Sequence, residues 1–160
     1  MHVVWYTALS LDGRIAGPGD DLSFLDSISN QGEPHTEFED FLATVDAALV
    51  GGSTLRWLQG NGHELPTRGR AVWVLSRDPA TRARAEAAAD ATTPVHCTSG
   101  DVAAVLESIE AAGHARVWLC GGGDVAGQLL AADLVDELVL TMAPVALGAG
   151  PALFEHCTLP

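Results

Sequence analysis

Hydrophobic and polar positions along the chain follow two different periods. Short apolar runs rich in β-branched and aromatic residues predict buried strands at residues 2–9, 47–50, 71–76, 95–98 and 116–120. Between them, apolar positions recur every three or four residues, which is typical of amphipathic helices. Strands that alternate with helices indicate an α/β fold with a mostly parallel central sheet. In such a sheet, ligands bind beyond the carboxyl ends of the strands.

Residues that favour helix ends mark the expected boundaries. Pro34 and the acidic residues after it predict the start of the first helix. Ser53 and Asp101 are the predicted N-caps of two later helices. The polar, alanine-rich segment 77–94 allows no definite assignment, whereas the apolar pattern of residues 135–147 predicts the longest strand.

Two strand-to-helix turns contain adjacent glycines. The stretch "LVGGST" contains Gly51 and Gly52, and the stretch "LCGGGD" contains Gly121, Gly122 and Gly123. Glycine lets backbone amides approach a ligand closely, and the free amides of a helix start favour an anion. We therefore expect the two turns to clamp the two ends of one pyrophosphate, although crowding within a tight turn would also select glycine.

The second turn also fits the G-x-G-x-x-A pattern through Gly121, Gly123 and Ala126. That fingerprint belongs on the first strand of a Rossmann domain, with an acidic residue about 20 residues further on. Here the pattern begins at residue 121 of 160, which leaves too little chain for such a domain. Its position argues against the Rossmann interpretation, and Asp124 is expected to cap the helix that follows.

Two further candidates lie at a strand end and near the N-terminus. Ser76 and Arg77 follow a predicted strand, where the guanidinium would pair with a 2′-phosphate and favour NADP over NAD. A solvated charge before a proline turn accounts for the same residues without a ligand. Asp21 is a candidate catalytic or substrate-anchoring acid, because a carboxyl in an apolar cleft can protonate or orient a ring nitrogen. Asp12 fits a turn former.

Charge and cysteine content narrow the class of partner. Eight arginines oppose 21 acidic residues, and the net charge of −13 argues against a nucleic-acid partner. No apolar run reaches the length of a membrane span, so we expect no membrane partner. The three cysteines, Cys97, Cys120 and Cys157, are odd in number and form no C-x-x-C motif, which favours a reducing cytoplasm. They lack the ligand spacing of a zinc site, so we expect no metal.

Four segments of the chain together resemble one family. They are "TALSLDGRIAG", "FEDFLATVDAALVGGSTL", "AVWVLSRDP" and "RVWLCGGGDVAGQLLAADLVDELVLTMAPVALGAGPALF", and they run in order from residue 7 to residue 154. The chain resembles the dihydrofolate-reductase-like superfamily, and within it the reductase family that includes the C-terminal domain of the bifunctional riboflavin-biosynthesis deaminase-reductase. The resemblance implies one three-layer α/β domain over residues 1–160, with helices on both faces of the sheet.

The resemblance also implies an NADPH site. The first glycine turn would contact the diphosphate through Ser53 and Thr54. The second turn and the helix start after it would contact the diphosphate and the nicotinamide side of the cofactor. The residues concerned are Gly121, Gly122, Gly123, Asp124 and Val125. Ser76 and Arg77 would lie near the adenosine 2′-phosphate. The nicotinamide would be flanked by Ala8, Leu9 and Ile15, and Asp21 matches the pterin-binding acid of dihydrofolate reductase.

The chain departs from the family pattern at three places. Many relatives have an arginine where this chain has Gly52, and Arg56, one helical turn on, is a candidate substitute. The segment "GNGHELPTRGR" matches the ribose-phosphate segment of the riboflavin reductases only at Leu65, Thr67 and Arg68 or Arg70. The family's C-terminal antiparallel strands are not found after residue 154, so we expect a truncated form or another chain over the sheet edge.

The sequence therefore predicts a cytoplasmic, homodimeric, NADPH-dependent reductase. It would transfer a hydride to a C=N or C=O bond of a small heterocyclic, pterin-like or pyrimidine-like substrate. The alternative is a non-catalytic module of the same fold that binds a nucleotide, a flavin or a deazaflavin. A structural or partner-binding domain is the third hypothesis.

Overall fold

The computed structural model describes residues 1–25, 28, 36–64, 67–89 and 93–154. Its strands are β1 (His2–Leu9), β2 (Ala47–Gly51), β3 (Ala71–Leu75), β4 (Val95–Thr98), β5 (Arg116–Gly121) and β6 (Glu137–Met142). Within the described residues these six strands form one sheet in the order β4-β3-β2-β5-β1-β6, and every neighbouring pair is parallel. The predicted parallel α/β sheet is confirmed, and the carboxyl ends of its strands all meet at one edge.

Helices cover both faces of this sheet. They are α1 (Thr36–Thr44), α2 (Gly52–Gly60), α3 (Pro79–Ala87), α4 (Val102–Ala111) and α5 (Gly123–Ala131), and a short 3-10 helix spans Ser23–Leu25. Successive side chains of a strand point to opposite faces. In β2, Leu49 packs in one cluster with α4 and α5, whereas Ala48 and Val50 pack in the clusters that contain α1, α2 and α3. The expected three-layer arrangement is confirmed.

Burial differs between the central strands and the edge strand β6. All five residues of β2 are buried, because both faces of a parallel sheet are covered by helices. In β6 the residues alternate between half-buried and exposed, and Leu138, Leu140 and Met142 are the exposed ones. The central strands therefore read as continuous apolar runs, whereas β6 presents an apolar row on an open edge of the described sheet.

Several predicted boundaries differ from the structure. The strand over residues 135–147 is not the longest, because β6 has 6 residues and β1 has 8. The undefined segment 77–94 contains α3, which starts with Pro79 behind its N-cap Asp78. The N-cap Asp101 is confirmed, since its carboxylate accepts a hydrogen bond from the amide of Ala103. The expected helix start at Pro34 lies outside the described residues.

Residues 145–153 are joined to the loop 10–17 by a series of backbone hydrogen bonds. The amide of Leu11 donates to the carbonyl of Val145, and the amide of Ile15 donates to that of Pro151. The amide of Leu153 donates to the carbonyl of Gly13. Residues 145–153, near the end of the described chain, therefore fix the loop 10–17 that follows β1.

Asp12 strengthens the same connection. Its carboxylate accepts hydrogen bonds from the amides of Leu147 at 2.9 Å and Gly148 at 2.8 Å, and from the hydroxyl of Ser10 at 2.6 Å. These bonds, of which the one from Ser10 has the largest effect, lower the pKa of Asp12 to about 2. Asp12 therefore links the loop 10–17 to residues 147–148, in addition to its expected role in the turn.

Candidate functional site

The two glycine turns lie against each other at the carboxyl edge of the sheet. They end β2 and β5, which are neighbouring strands. A Cβ atom added at Gly51 would lie 3.2 Å from the carbonyl oxygen of Gly121, and one added at Gly122 would lie 3.2 Å from the Cα of Gly51. These contacts are tighter than most Cβ contacts, so a side chain at either position would require the neighbouring backbone to shift by a few tenths of an ångström. Gly122 also has φ +96°, a conformation that L residues rarely adopt.

The helices that leave these turns start without side-chain caps. Helix α2 has Gly51 as its N-cap and α5 has Gly122, and neither cap residue offers a side-chain acceptor. The helices α3 and α4, by contrast, are capped by the carboxylates of Asp78 and Asp101. Uncapped amides at a helix start favour an anion, and both uncapped starts face the same place.

The predicted caps Ser53 and Asp124 are therefore both wrong. Ser53 lies inside the first turn of α2, because Gly51 is the N-cap. Asp124 lies inside the first turn of α5, and its carboxylate accepts a hydrogen bond from the Gln128 side chain at 3.0 Å. The sequence gives no direct sign of a glycine N-cap, since glycine caps a helix without a side-chain contact.

The topology explains why a crevice opens here. Helix α2 leaves β2 toward one face of the sheet, whereas α5 leaves the neighbouring β5 toward the other face. Helices that diverge from adjacent parallel strands leave a gap beyond the strand ends, and this is where open α/β sheets bind ligands. A cleft of about 600 Å³ lies at this position. Its lining includes Gly51, Gly122 and Val125 from around the two turns, and Ser76 and Arg77 from the end of β3.

Arginine side chains reach this cleft in a strongly acidic chain. Arg56 and Arg77 both line it, and among the described residues neither has a carboxylate within 4.0 Å. Asp78 also lines the cleft, and its carboxylate accepts hydrogen bonds from the amides of Ala80 and Thr81 and from the Thr81 hydroxyl. The Thr81 hydroxyl contributes most to lowering the pKa of Asp78. The arrangement provides two cationic groups and two uncapped helix starts for one anionic ligand.

Known proteins share both the sequence and the fold. A family model described as "RibD C-terminal domain" matches residues 1–159. The chain belongs to the RibD C-terminal domain family. The protein YwjB of Bacillus subtilis, whose function is uncharacterized, is 27% identical over 157 residues, which cover 97% of this chain and 83% of YwjB.

Solved structures agree with the membership in the RibD C-terminal domain family. A protein from Shewanella sp. PV-4, provisionally named a riboflavin biosynthesis protein, is 27% identical with a TM-score of 0.78, over 96% of this chain and 82% of its own. A diaminohydroxyphosphoribosylaminopyrimidine deaminase/5-amino-6-(5-phosphoribosylamino)uracil reductase from Thermotoga maritima has a TM-score of 0.71 at 18% identity. The alignment covers 99% of this chain and 49% of the Thermotoga protein, and it shows the shared fold.

The structure of this RibD C-terminal domain brings most of the sequence-predicted cofactor residues together. Eight of them line the cleft directly, namely Gly51, Gly52, Ser53, Ser76, Arg77, Gly122, Asp124 and Val125. Thr54 stands just behind it, because its Oγ1 lies 3.1 Å from a Cβ built on Gly121. Ile15 reaches the start of α5, since its Cδ1 lies 3.1 Å from a Cβ built on Gly123. Their roles toward a cofactor stay predictions.

The remaining predicted residues are placed differently. Leu9 is buried in the core beneath the loop 10–17, and Ala8 is half-buried in β1. Asp21 is exposed and does not line the cleft. Its carboxylate accepts hydrogen bonds from the amide and the hydroxyl of Ser23, both at 2.9 Å. The structure thus gives Asp21 a local turn-forming contact, and its catalytic role stays a prediction.

Asp78 and Gln128 are not among the residues predicted from the sequence, and Arg56 is predicted only as a substitute for the missing arginine. All three line the cleft. The signal for Arg56 was available, since a helical side chain covers the turn before it and residue 52, four positions earlier, is glycine. Asp78 and Gln128 gave no such signal, because an N-cap and an exposed helical glutamine occur throughout proteins.

Three further observations concern the described residues outside the cleft. A second hollow of about 430 Å³ lies beside α1 and the β1–β6 pair and includes Tyr6, Arg116 and Thr141. No group of three or more metal-ligating side chains occurs among the described residues. Within the same residues, no helix has the length and apolar character needed to cross a membrane. His156 and Cys157 lie outside the described part of the chain.

Proposed function

We propose that this chain is an NADPH-dependent reductase that acts on a small pyrimidine-like heterocycle. The observation that supports it most is the contact of two glycine turns, each opening an uncapped helix, in the crevice between β2 and β5. Because Gly51 and Gly122 place no side chain over the two helix starts, the backbone amides can approach a diphosphate closely. The name of the Thermotoga neighbour, a uracil-derivative reductase, supports the reaction class.

The residues present fit a dinucleotide at this position. Amides at the starts of α2 and α5 would hold the diphosphate, while Ser76 and an arginine of the cleft, Arg56 or Arg77, would face the adenosine 2′-phosphate. The side chain of Ile15, held beside Gly123, would exclude water from the nicotinamide together with Ala8 and Leu9. When bound, NADPH supplies a hydride to carbon while the nitrogen or oxygen of the reduced bond takes a proton. Asp21 or water would hold that proton.

The test is a titration of the purified chain with NADPH, in which binding is measured by calorimetry and by the fluorescence of the chain's tryptophans. We expect saturable binding of one NADPH per chain, because the crevice is a preformed anion site. Absence of saturation at millimolar NADPH would remove the proposal. Oxidation of NADPH is then followed by absorbance with a panel of aminopyrimidine and pterin substrates.

The alternative of a binding module for a nucleotide, flavin or deazaflavin is supported by one observation. Gly52 stands where many relatives have an arginine, so this chain lacks that phosphate contact. Thermal unfolding with NADPH, ADP, FMN and a deazaflavin separates the two hypotheses, since a ligand of the native state raises the melting temperature by mass action. A shift with a flavin or deazaflavin and none with NADPH would favour the binding module.

Contacts of the segment after α2 bear on the substrate. Arg68 forms an ion pair with Glu39 at 2.5 Å, and Arg70 donates to the carbonyls of Val45 and Thr67. Thr67 is buried. These partners engage Arg68 and Arg70, whereas the buried Oγ1 of Thr67 has no hydrogen-bond partner among the described residues. Leu65 lies outside the described part. We therefore assign no residue to a substrate phosphate, and we propose a pyrimidine-like ring on the basis of the name of the Thermotoga neighbour.

We also propose that the chain is one domain, forms a homodimer and acts in the cytoplasm. The exposed apolar row Leu138, Leu140 and Met142 on β6 supports the homodimer, because an open strand edge with apolar side chains favours association with another sheet edge. Sedimentation of the purified chain tests it directly.

A further inference from the structure

Arg56 reaches back over Gly52 into the cleft. Helical side chains lean toward the N-terminus of their helix, so a residue covers the position four residues before it. The Nη1 of Arg56 lies 3.4 Å from a Cβ built on Gly52, and the Oγ of Ser76 lies 2.8 Å from the same point. The absence of a side chain at position 52 is what lets these two polar groups converge.

The guanidinium of Arg56 is held in place by a chain of hydrogen bonds. Its Nη1 donates to the Oγ1 of Thr81 at 3.1 Å, and the Thr81 hydroxyl donates to Asp78 at 2.5 Å. A hydroxyl has one proton, so Thr81 gives that proton to Asp78 and accepts from Arg56. Thr81 is only 1% exposed, so its hydroxyl is a fixed acceptor for the exposed Arg56 side chain. Four of the five guanidinium N–H groups stay available to a ligand.

Arg77 lies at the same cleft but is not held. It is exposed, and the described residues offer it no hydrogen bond or ion pair. A flexible arginine must lose side-chain entropy when it binds, whereas a tethered one has already lost most of it. Of the two cations, Arg56 is therefore the better prepared for a fixed anion.

The place of Arg56 and Ser76 indicates which phosphate they would meet. The glycine turns at the ends of β2 and β5 mark the diphosphate, whereas Ser76 follows β3 on the other side of β2. Neighbouring strands lie about 4.8 Å apart, so this group is displaced from the turns by one strand. The Ser76 Oγ accepts a hydrogen bond from the amide of Asp78 at 3.2 Å, which leaves the hydroxyl proton of Ser76 free to be donated.

We propose that Arg56, together with the Ser76 hydroxyl across Gly52, binds the 2′-phosphate of NADPH and sets the preference for NADPH over NADH. The inference rests on the proposed NADPH-dependent function and names the residue that gives its cofactor specificity. Thr81 acts on the phosphate only through Arg56 and is a positioning residue. The nearby Asp78 carboxylate is held at the start of α3, because both of its oxygens accept hydrogen bonds from that helix.

The experiment compares NADPH and NADH binding by calorimetry for the wild-type chain and single variants. Arg56→Ala is expected to weaken NADPH at least about 10-fold, the loss of one charge-assisted contact, and to leave NADH unchanged. Arg77→Ala is expected to have a smaller effect on NADPH. The matched control is Arg84→Ala, which removes a charge from an exposed residue of α3 that does not line the cleft.

Two further variants separate positioning from folding. Thr81→Val keeps the shape of the side chain and removes the tether, so it is expected to weaken NADPH less than Arg56→Ala and to leave NADH binding unchanged. Arg56→Gln keeps most of the aliphatic stem and gives the same readout if the alanine variant unfolds. Circular dichroism confirms that each variant is folded.

The outcomes distinguish the inference from the function it rests on. If the wild-type chain binds neither nucleotide, both the function and the inference are overturned. If it binds NADPH but Arg56→Ala weakens NADPH and NADH equally, the reductase proposal stands and the specificity role of Arg56 is rejected. A larger effect of Arg77→Ala on NADPH would assign the 2′-phosphate to Arg77 instead.

Discussion

Substitution of Gly122 by alanine tests the contact on which the candidate site depends. The residue is the N-cap of α5 and has φ +96°. A Cβ there would lie 3.2 Å from the Cα of Gly51 and 3.6 Å from its nitrogen. Both neighbours are backbone atoms of β2, a buried central strand that cannot rotate out of the way as a side chain can. Alanine therefore introduces backbone strain and a steric overlap together.

A second glycine separates these two effects. Gly113, which follows α4, has φ +94° and nothing within 4 Å of an added Cβ. Alanine in the left-handed helical region costs about 1–2 kcal/mol, and Gly122→Ala, at a residue whose ψ of 96° lies outside that region, includes at least that cost. Overpacking of a tight contact costs a further amount of about 1–3 kcal/mol, which only Gly122→Ala includes. The expected difference in the free energy of unfolding between the two variants is therefore about 1–3 kcal/mol.

Urea unfolding followed by tryptophan fluorescence measures the difference. With a slope of about 1–3 kcal/mol per molar urea, the midpoint of Gly122→Ala should lie roughly 1 M below that of Gly113→Ala. NADPH binding, by the titration described above, should be lost in Gly122→Ala and kept in Gly113→Ala. Equal midpoints would show that the turns are not in tight contact, and equal NADPH affinities would show that the turn does not approach the cofactor.

Three other predictions concern separate parts of the molecule. The pKa of Asp12 is lowered from 3.8 to about 2, so its contribution to stability is present above pH 3.8 and is lost as the pH falls through about 2. In urea unfolding, Asp12→Asn should reduce the fall in the free energy of unfolding over that pH range. A pH profile equal to that of the wild type would contradict the link between Asp12 and residues 147–148. Desolvation raises the pKa of the half-buried Cys120 to about 12, so peptide mapping after a thiol reagent at pH 8 should find it modified much more slowly in the native chain than in urea. Leu140→Glu on the open edge of β6 should shift sedimentation toward the monomer, and a wild-type chain that is already monomeric would refute the homodimer.

The fold could be predicted because its signals are local. The central strands are covered on both faces, so they appear in the sequence as uninterrupted apolar runs. The start of α4 was predictable because Asp101 accepts a hydrogen bond through its own side chain. Helix α2 was assigned the wrong cap because Gly51 caps it without any side-chain contact, so Ser53 was the more familiar choice.

The candidate site was predictable only in part. The glycine turns could be found because a missing Cβ is visible in the sequence, and adjacent glycines after a strand favour a close approach of backbone. The tether from Arg56 through Thr81 to Asp78 could not, because it joins two helices whose relative position depends on the packing of β2 against β3. The contact of Ile15 with the start of α5 depends likewise on segments far apart in the chain.

The bonds between the loop 10–17 and residues 145–153 have a consequence for how the protein is made. Asp12 and Leu147, whose contact fixes that loop, are 135 positions apart. The strand β1 is synthesised before both of its partners in the sheet, β5 and β6, which lie after residue 115. Contacts of such long range form late in folding because they close large loops. The loop 10–17, in which Ile15 lies against the start of α5, therefore becomes fixed only after residues 145–153 have been synthesised.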